Sequence, residues 1–425
     1  MIRVIKNKYG LYLVWLTMIM FISVGVVTTK YLSLASLVIF LLYAALNPIS
    51  DVCVLLFGLL PFANVFKLSA GTTSFFTLCE ILVVAIALYK NVKIKSKFFV
   101  SLLLFIIYIF ITGFGNFNLL GNIKIIVGFC LIYLSMLMFE KKDVINVAYL
   151  LSASTILMML LSMNSTYFEY IEPYLVDMNY LIDSSGHASE TMRMSGFLGD
   201  PNYCSVLIIM AVALLCVLYY YKQIKTEFWV FTALLIPLGF FTYSKSYFLC
   251  MSALIVFLIL FVLFPKHKGW AIVSVVAMIV LIFMILSGRI EVINLIFERF
   301  TTGDLTTGRS TLNAAYLEYI WNHPLVFLFG EGINADRFVG ASNNVHNIYI
   351  ESLFKLGVVG CGLYLSTLLM SVKTRRKCTS NRKIANYFPM IFLLILYYAL
   401  AGITMYEFPF YLSIAFLSVN LNLLD

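Results

Sequence analysis

Long apolar runs follow one another along the chain, with short polar segments between them. Each run is about 17 to 20 residues long, enough to cross ~30 Å of hydrocarbon as an α-helix. The pattern predicts about fourteen transmembrane helices, at residues 11–27, 31–46, 51–66, 74–90, 98–113, 122–139, 144–162, 203–221, 228–243, 247–264, 270–287, 347–370, 385–404 and 409–423. The pair on either side of "NPISD" also fits a single broken re-entrant helix. The predicted fold class is an all-α polytopic membrane protein.

Composition supports this interpretation, because the chain is 62% hydrophobic and only 12% charged. A chain with so few polar residues could not cover a soluble surface. The spans take up most of its length, so residues 1–425 are predicted to form a single integral membrane domain. The first apolar run is interpreted as a span, since no small-residue cleavage site follows it and a second run begins at Tyr31.

Positive charge recurs in every second connection between spans, apart from residues 47–51, and residues 371–384 carry the largest cluster. Cytoplasmic connections are rich in Lys and Arg, so this alternation places both termini in the cytoplasm. It also places two long loops outside, at about residues 163–202 and 288–346. The net charge of +9 therefore reports orientation, and we do not expect nucleic acid binding.

The second outward loop contains "STLNAAYLEYIWNHP", in which apolar positions recur at helical spacing. Leu312, Tyr316, Tyr319 and Ile320 form one stripe, which predicts an amphipathic helix that ends at Pro324. Such a helix could lie on the membrane surface or roof a cavity. Packing against its own bundle fits the pattern equally well.

The stretch "NNVHNIYIESLFKLGVVG" begins with polar residues and continues into the next predicted span. His346 lies at its polar edge, and Asn347, Glu351 and Lys355 follow at intervals of four residues. Glu351 precedes Lys355 by one turn, the favourable order for an ion pair on a helix. Charges within a span usually pair and face a cavity, so this stripe is a candidate site. The alternative is an interfacial histidine above a structural ion pair.

Two further stretches place cations near the outer surface. In "RMSGFLGDPNY", Arg193 precedes a turn at Asp200-Pro201, and Asn202 is predicted to cap the next helix. In "ERFTTGDLTTGRS", Arg299 and Arg309 flank a polar loop, and two guanidinium groups suit a pyrophosphate. Each arginine also fits an ordinary solvated loop residue.

Lys245, in "TYSKSY", is a further outward cation, and a lysine whose ammonium reaches the interface is the alternative there. The chain lacks the common metal-ligand and ATP-binding motifs, so neither a metal ion nor another cofactor is expected. Gly357 and Gly360 lie within a span, where they would let a neighbouring helix or a lipid chain approach closely.

In their order and placement, these stretches resemble the O-antigen polymerase and O-antigen ligase family, whose members have many spans and a large outward loop late in the chain. The resemblance rests on Arg193 to Asn202 (Arg-x-x-Gly…Asp-Pro-Asn), Arg299, Gly308-Arg309, His323-Pro324, Gly330-Glu331-Gly332, His346-Asn347, and Gly357 with Gly360. These motifs cover about residues 193–360, and the topology extends the likeness to the whole chain. Lys245 stands where members of the family often have arginine.

The resemblance implies a fold of the glycosyltransferase C class and a polyprenyl-pyrophosphate-linked sugar donor. It implies that Arg193 and Arg309 stabilise the departing pyrophosphate, with Arg299 and Lys245 nearby. It also implies that His346, with an ordinary pKa of ~6.5, takes the proton of the acceptor hydroxyl. Substrate contacts are expected from the remaining polar residues of these motifs and their neighbours: Asp200, Asn202, Asn347, Glu351 and Lys355.

The predicted function is a polymerase that joins lipid-linked oligosaccharide repeats into an O-antigen or capsule, on the outer face of a bacterial cytoplasmic membrane. A ligase that moves finished glycan to another acceptor is the nearest alternative. A flippase or other transporter is a third, although its charges would be expected deep in several spans. The expected partners are lipid-linked donor and acceptor, the bilayer, and a regulator of chain length.

Overall fold

The structure is a computed structural model that describes residues 8–69, 72–90, 92–113, 119–175, 180–182, 188–257, 259, 276, 309–335, 337–338, 345 and 347–372. Its helices are α1 (Lys8–Val27), α2 (Tyr31–Leu46), α3 (Ile49–Leu59), α4 (Phe75–Tyr89), α5 (Ser96–Thr112), α6 (Leu119–Met138), α7 (Lys141–Ser162), α8 (Ser165–Ile171), α9 (Pro201–Tyr220), α10 (Thr226–Phe240), α11 (Lys245–Phe257), α12 (Arg309–Asn322), α13 (Pro324–Phe329) and α14 (Ile348–Val372). The 3-10 helices are Leu60–Phe62 and Glu172–Tyr174.

The predicted spans within the described residues coincide with helices. Five of these helices are long and apolar enough to cross a membrane: Tyr9–Val27, Gly121–Met138, Lys141–Ser162, Pro201–Tyr220 and Ile348–Ser371. This confirms a helical membrane protein. The predicted spans 270–287, 385–404 and 409–423 lie outside the described residues, apart from position 276, so the number of fourteen stays a prediction.

The first outward loop contains regular structure that the apolar pattern did not indicate. Strands β1 (Tyr180–Ile182) and β2 (Ala188–Met192) form an antiparallel hairpin. The rest of the described chain is helical, so the all-α fold class is confirmed, and the hairpin is a local feature of this loop that the prediction missed. Strands this short do not produce a detectable alternation of apolar and polar residues.

The break at "NPISD" separates two helices. Asn47 has an extended backbone (φ −113°, ψ 166°), and Pro48 immediately precedes the first residue of α3. A proline restricts the preceding residue to this region, so α2 cannot continue through it. α2 packs mainly on α1, whereas α3 packs mainly on α7. The arrangement favours two helices over a single re-entrant one.

Helix α9 lies at the centre of the described bundle. Its residues are apolar on every side, and 83% of its membrane-spanning window is buried. A helix that is hydrophobic all round is expected in such a position. It contacts α7, α10 and α11, so its N-terminal end, where the Asp200-Pro201 turn lies, is held by several neighbours.

The amphipathic helix of the second outward loop is present as α12. Tyr316 and Ile320 are fully buried, and Leu312 and Tyr319 pack against the same cluster. The Tyr316 ring meets the Phe354 ring of α14 edge-on, with centroids 5.1 Å apart. The predicted stripe is confirmed, and it packs on the protein's own bundle. After α12 ends, Pro324 begins a second short helix, α13, which the sequence did not indicate.

Helix α14 is broken at Gly357, whose backbone is left-handed (φ 59°, ψ −175°). This conformation interrupts the helical hydrogen bonds, so the preceding carbonyls need other donors. The segment after α13 and a tyrosine of α5 supply them: Glu331 N donates to Phe354 O (2.8 Å), Gly332 N to Lys355 O (3.1 Å) and Tyr108 Oη to Leu356 O (2.5 Å). We call this arrangement the Gly357 clasp.

The clasp requires glycines on both of its sides. A Cβ atom on Gly357 would lie 2.5 Å from the backbone of Leu328, and one on Gly330 would lie 2.3 Å from Lys355 O. A Cβ atom on Gly360 would lie 2.4 Å from the Tyr108 ring. Close approach at Gly357 and Gly360 is therefore confirmed, with protein as the neighbour.

Replacing Gly357 by alanine should strongly destabilise the protein, because the new methyl group meets fixed backbone and the left-handed φ becomes strained. We expect a loss of about 2 kcal/mol or more, measured by chemical unfolding of the purified protein in detergent. Gly362→Ala is the matched control, because a Cβ atom there meets nothing within 4 Å. Equal stability of the two variants would contradict the role of the clasp.

Candidate functional site

The stretch from residue 193 to 202, called the Arg193 loop below, ends by capping α9. Asp200 has extended backbone, its side chain accepts from Asn202 N at 2.6 Å, and Pro201 is the first helical residue. This is the usual order of an N-cap residue followed by proline. The prediction that Asn202 caps the helix is wrong, because Asn202 already lies inside it.

The side chain of Asn202 instead connects the Arg193 loop to a second polar segment, residues 241–245. Its Oδ1 accepts a hydrogen bond from Ser244 Oγ at 2.9 Å. Arg193 Nε donates to Thr242 O at 3.3 Å, and Met194 N donates to Phe241 O at 3.1 Å. Two stretches about forty residues apart in the sequence are thus joined by three hydrogen bonds.

This junction brings together the predicted site residues of both stretches. Arg193 is half-buried, and Lys245 begins α11 directly after the buried Ser244. The backbone is therefore arranged so that two cations come from adjacent segments at the ends of α9, α10 and α11. Only the backbone of Lys245 is described, so joint binding of an anionic ligand by Lys245 and Arg193 stays a prediction.

Left-handed glycines shape the Arg193 loop. Gly196 has φ 57° and Gly199 has φ 80°, and a Cβ atom on Gly196 would lie 2.6 Å from Met158 Cε of α7. Between them, Phe197 is fully buried and meets the Phe62 ring edge-on at 5.2 Å. The loop is thus packed into the bundle between its two polar ends.

At the start of α14, Asn347 is 8% exposed, and its Oδ1 accepts from Tyr349 N (3.0 Å) and Ile350 N (3.4 Å). These are the bonds of a helix cap. The structure therefore assigns Asn347 a structural role, and its contact with substrate stays a prediction.

One and two turns further along α14, the predicted ion pair is confirmed. Lys355 Nζ lies 2.8 Å from Glu351 Oε1, and the two side chains are 6% and 9% exposed. Lys355 also accepts through its carbonyl from the Gly357 clasp. The pair therefore neutralises two charges next to the kink in α14.

Next to the clasp, aromatic rings connect α12 to the turn after α13. The Tyr319 ring stacks between His323 (4.2 Å) and Phe338 (4.5 Å), and its hydroxyl donates to Glu331 Oε1 at 2.5 Å. Burial, together with the Glu331 carboxylate, raises the pKa of Tyr319 to about 12. The hydroxyl keeps its proton at neutral pH, so this bond holds α12 in place over a wide pH range.

The remaining predicted residues are described only in part. Arg309 is the first residue of α12, and its backbone alone is described; Arg299 and His346 lie outside the described residues. The sequence did not single out Tyr108, because one tyrosine in an apolar span is an ordinary core residue. Within the described ranges, no group of three or more His, Cys, Asp or Glu side chains could hold a metal ion.

These features define a class: a helical membrane protein in which buried polar groups and cations gather at helix ends, around two segments that the predicted topology places outside. Residues 238–365 match the family model for O-antigen ligase. This match confirms the resemblance to the O-antigen ligase and polymerase family that the motifs indicated. Neither a curated protein nor a solved structure matches the chain.

The matched region and the Arg193 loop form one structural unit. The match covers Lys245, Arg309 and the Gly357 clasp, whereas the Arg193 loop precedes it. The hydrogen bonds to Thr242 and Ser244 attach that loop to the matched region. Glycosyl transfer of the ligase and polymerase type is supported by the match to residues 238–365, and a part for Arg193 in it stays a prediction.

Removing either charge of the Glu351–Lys355 pair should destabilise the protein more than removing both. A single buried charge without its partner costs about 3–5 kcal/mol, whereas an apolar pair of similar size is close to neutral. We would measure chemical unfolding of Glu351→Leu, Lys355→Leu and the double variant.

The exposed pair of Glu140 and Lys142, 3.4 Å apart with side chains 63% and 69% exposed, is the control. Its coupling should stay below about 1 kcal/mol. Additive effects of the two changes on α14 would show that the buried pair is not coupled.

Proposed function

We propose that the protein is a polymerase that joins polyprenyl-pyrophosphate-linked oligosaccharide repeats into a surface polysaccharide. The observation that carries this proposal is the O-antigen ligase match, because residues 238–365 include Arg309 and His346. The junction between the Arg193 loop and residues 241–245 supports it by adding a second arginine to the same unit.

In the proposed reaction, an acceptor hydroxyl attacks the anomeric carbon of the donor. The new bond joins the hydroxyl oxygen to that carbon, and the bond from the carbon to the pyrophosphate oxygen breaks. His346 takes the hydroxyl proton, and polyprenyl pyrophosphate leaves with its charge stabilised by Arg193 and Arg309. Arg299 and Lys245 add positive charge, and no divalent cation takes part.

The proposed orientation follows from the distribution of charge. Basic connections face the cytoplasm, so the loops at 163–202 and 288–346 face outward, and fourteen spans place both termini inside. The site then opens on the outer face of a bacterial cytoplasmic membrane. A separate regulator of chain length would act on the same outward loops.

An O-antigen ligase is the second candidate, because the matching family model is described by that activity. The two enzymes use the same donor and differ in the acceptor. The match to a ligase model favours either of them over a transporter.

The product pattern tests the proposal. Purified protein would be incubated with defined lipid-linked repeats and no other acceptor. A ladder of products that differ by one repeat supports the polymerase. Transfer seen only when a different lipid acceptor is added supports the ligase, and neither product in either assay would refute glycosyl transfer.

His346→Gln should abolish joining, as His346→Ala should, because glutamine keeps a hydrogen bond but cannot take a proton. The neutral histidine is the active form, so the rate should fall about tenfold for each pH unit below ~6.5. We would measure the joining rate from pH 5 to 8. Donor binding should be nearly unchanged in both variants; a flat pH profile would reduce His346 to an orienting group.

Arg309→Lys should lower the joining rate by about 100-fold or more, although it keeps the positive charge. A guanidinium group bonds two phosphate oxygens at once, which an ammonium group cannot copy. Arg337→Lys is the control, because Arg337 is exposed and lies outside the motifs. Equal rates of the two variants, at matched protein levels, would make Arg309 an ordinary loop residue.

A further inference from the structure

Lys67 is a buried cation in the turn that follows α3 and the 3-10 helix Leu60–Phe62. It is 7% exposed. Its ammonium donates to Tyr174 O at 3.1 Å and lies 5.7 Å from the centre of the Tyr174 ring. Within the part of the chain that the structure describes, Lys67 forms no ion pair, and burial lowers its pKa.

The contrast with Lys355 shows what Lys67 lacks. Lys355 is buried to a similar degree and has the Glu351 carboxylate at 2.8 Å. An ammonium group has three N–H donors, and only one from Lys67 has an acceptor in the described structure. A buried charge without a counter-charge is costly, so a residue of this kind within a membrane protein indicates a function.

The turn that carries Lys67 is attached to the Arg193 loop. Asn64 Nδ2 donates to Leu198 O at 3.0 Å, and the Phe62 ring meets Phe197. Lys67 follows Asn64 by three residues. The predicted topology places this turn on the outer face, where basic residues are otherwise few. The structure therefore attaches a third cation-bearing segment to the Arg193 loop.

We propose that Lys67 binds a lipid-borne phosphate group at the outer membrane surface, as the counter-charge that the described part of the chain does not supply. This inference rests on the proposed topology and function. Two sources offer this chemistry, the pyrophosphate of a lipid-linked substrate and the headgroup of an anionic phospholipid. We assign the substrate, because the Arg193 loop that contacts this turn carries the arginine of the proposed reaction.

Lys67→Met separates a ligand-binding role from a structural one. Methionine has a similar length without the charge, so the ligand-free protein should unfold at the same temperature as wild type or higher. Affinity for farnesyl pyrophosphate should fall about tenfold or more, the usual effect of losing a charged hydrogen bond. Affinity for farnesol, which lacks the phosphates, should not change, and Lys67→Arg should restore most of the binding.

The full chain would be measured in phosphatidylcholine nanodiscs, with and without phosphatidylglycerol. Lys90→Met is the matched control, because Lys90 Nζ also donates to a carbonyl oxygen (Asn47, 2.8 Å) but lies at the opposite, cytoplasmic ends of the predicted spans. It should bind farnesyl pyrophosphate as wild type does. Phosphatidylglycerol, and not farnesyl pyrophosphate, could be the ligand that raises the unfolding temperature of wild type relative to that of Lys67→Met. In that case the phosphate belongs to a headgroup and the substrate assignment is wrong.

Two other results would overturn the inference. One is unchanged affinity for every phosphate probe in Lys67→Met. The other is a gain of affinity in Asp177→Asn, which would indicate that a carboxylate of the same loop already supplies the counter-charge of Lys67. The product-ladder assay distinguishes a failure of this inference from a failure of the proposed function. Wild-type protein that binds through Lys67 but makes no ladder would refute the polymerase alone.

Discussion

The packing of α5, α13 and α14 on one another depends on satisfying three carbonyl groups next to Gly357. The core of a membrane holds no water that could donate hydrogen bonds to the free carbonyl groups of a broken helix. The protein must therefore supply the donors. Two backbone amides after α13 and the hydroxyl of Tyr108 fill this need. The same bonds attach the end of the second outward loop to α14 and α5. The break in α14 therefore fixes the segment that follows α13.

The two buried lysines of the described structure have different partners. Glu351 and Lys355 neutralise each other at 2.8 Å, next to the clasp. Lys67 has a carbonyl and an aromatic ring, neither of which carries a full negative charge. Both lysines are buried, so exposure does not distinguish them. Their different partners give Lys355 a counter-charge within the protein and make Lys67 a candidate for binding a ligand.

The sequence predicted those features that depend on local composition. Helix positions followed from the length of the apolar runs, the α12 stripe from its spacing, and the Glu351–Lys355 pair from an interval of four residues. The N-cap of α9 was assigned two residues too late, because a cap is decided by backbone angles at Asp200. The hairpin at β1 and β2 was missed because its strands are too short to show a period.

Features that join distant segments could not be predicted in this way. Glycines are common in membrane helices, so Gly357 alone does not predict a break. The close approach of the Leu328 backbone, which requires a glycine there, is visible only in the structure. The bond between Asn202 and Ser244 likewise depends on how α9, α10 and α11 pack. The sequence indicates Lys67 only weakly, as a lysine on a predicted face where cations are few. Its burial without a carboxylate partner in the described residues is what makes it a candidate for binding.

Together, the clasp and the Arg193 junction explain why the outward segments can be both polar and fixed. Each attaches a polar segment to helix ends by hydrogen bonds that are themselves buried: Tyr108 to Leu356 at the clasp, and Ser205 Oγ to Thr242 Oγ1 (2.9 Å) beside the junction. A site that stabilises a departing pyrophosphate gains most from charges held in place beforehand. In the proposed reaction, the hydrogen bonds at the broken helix and at the helix ends would supply that rigidity.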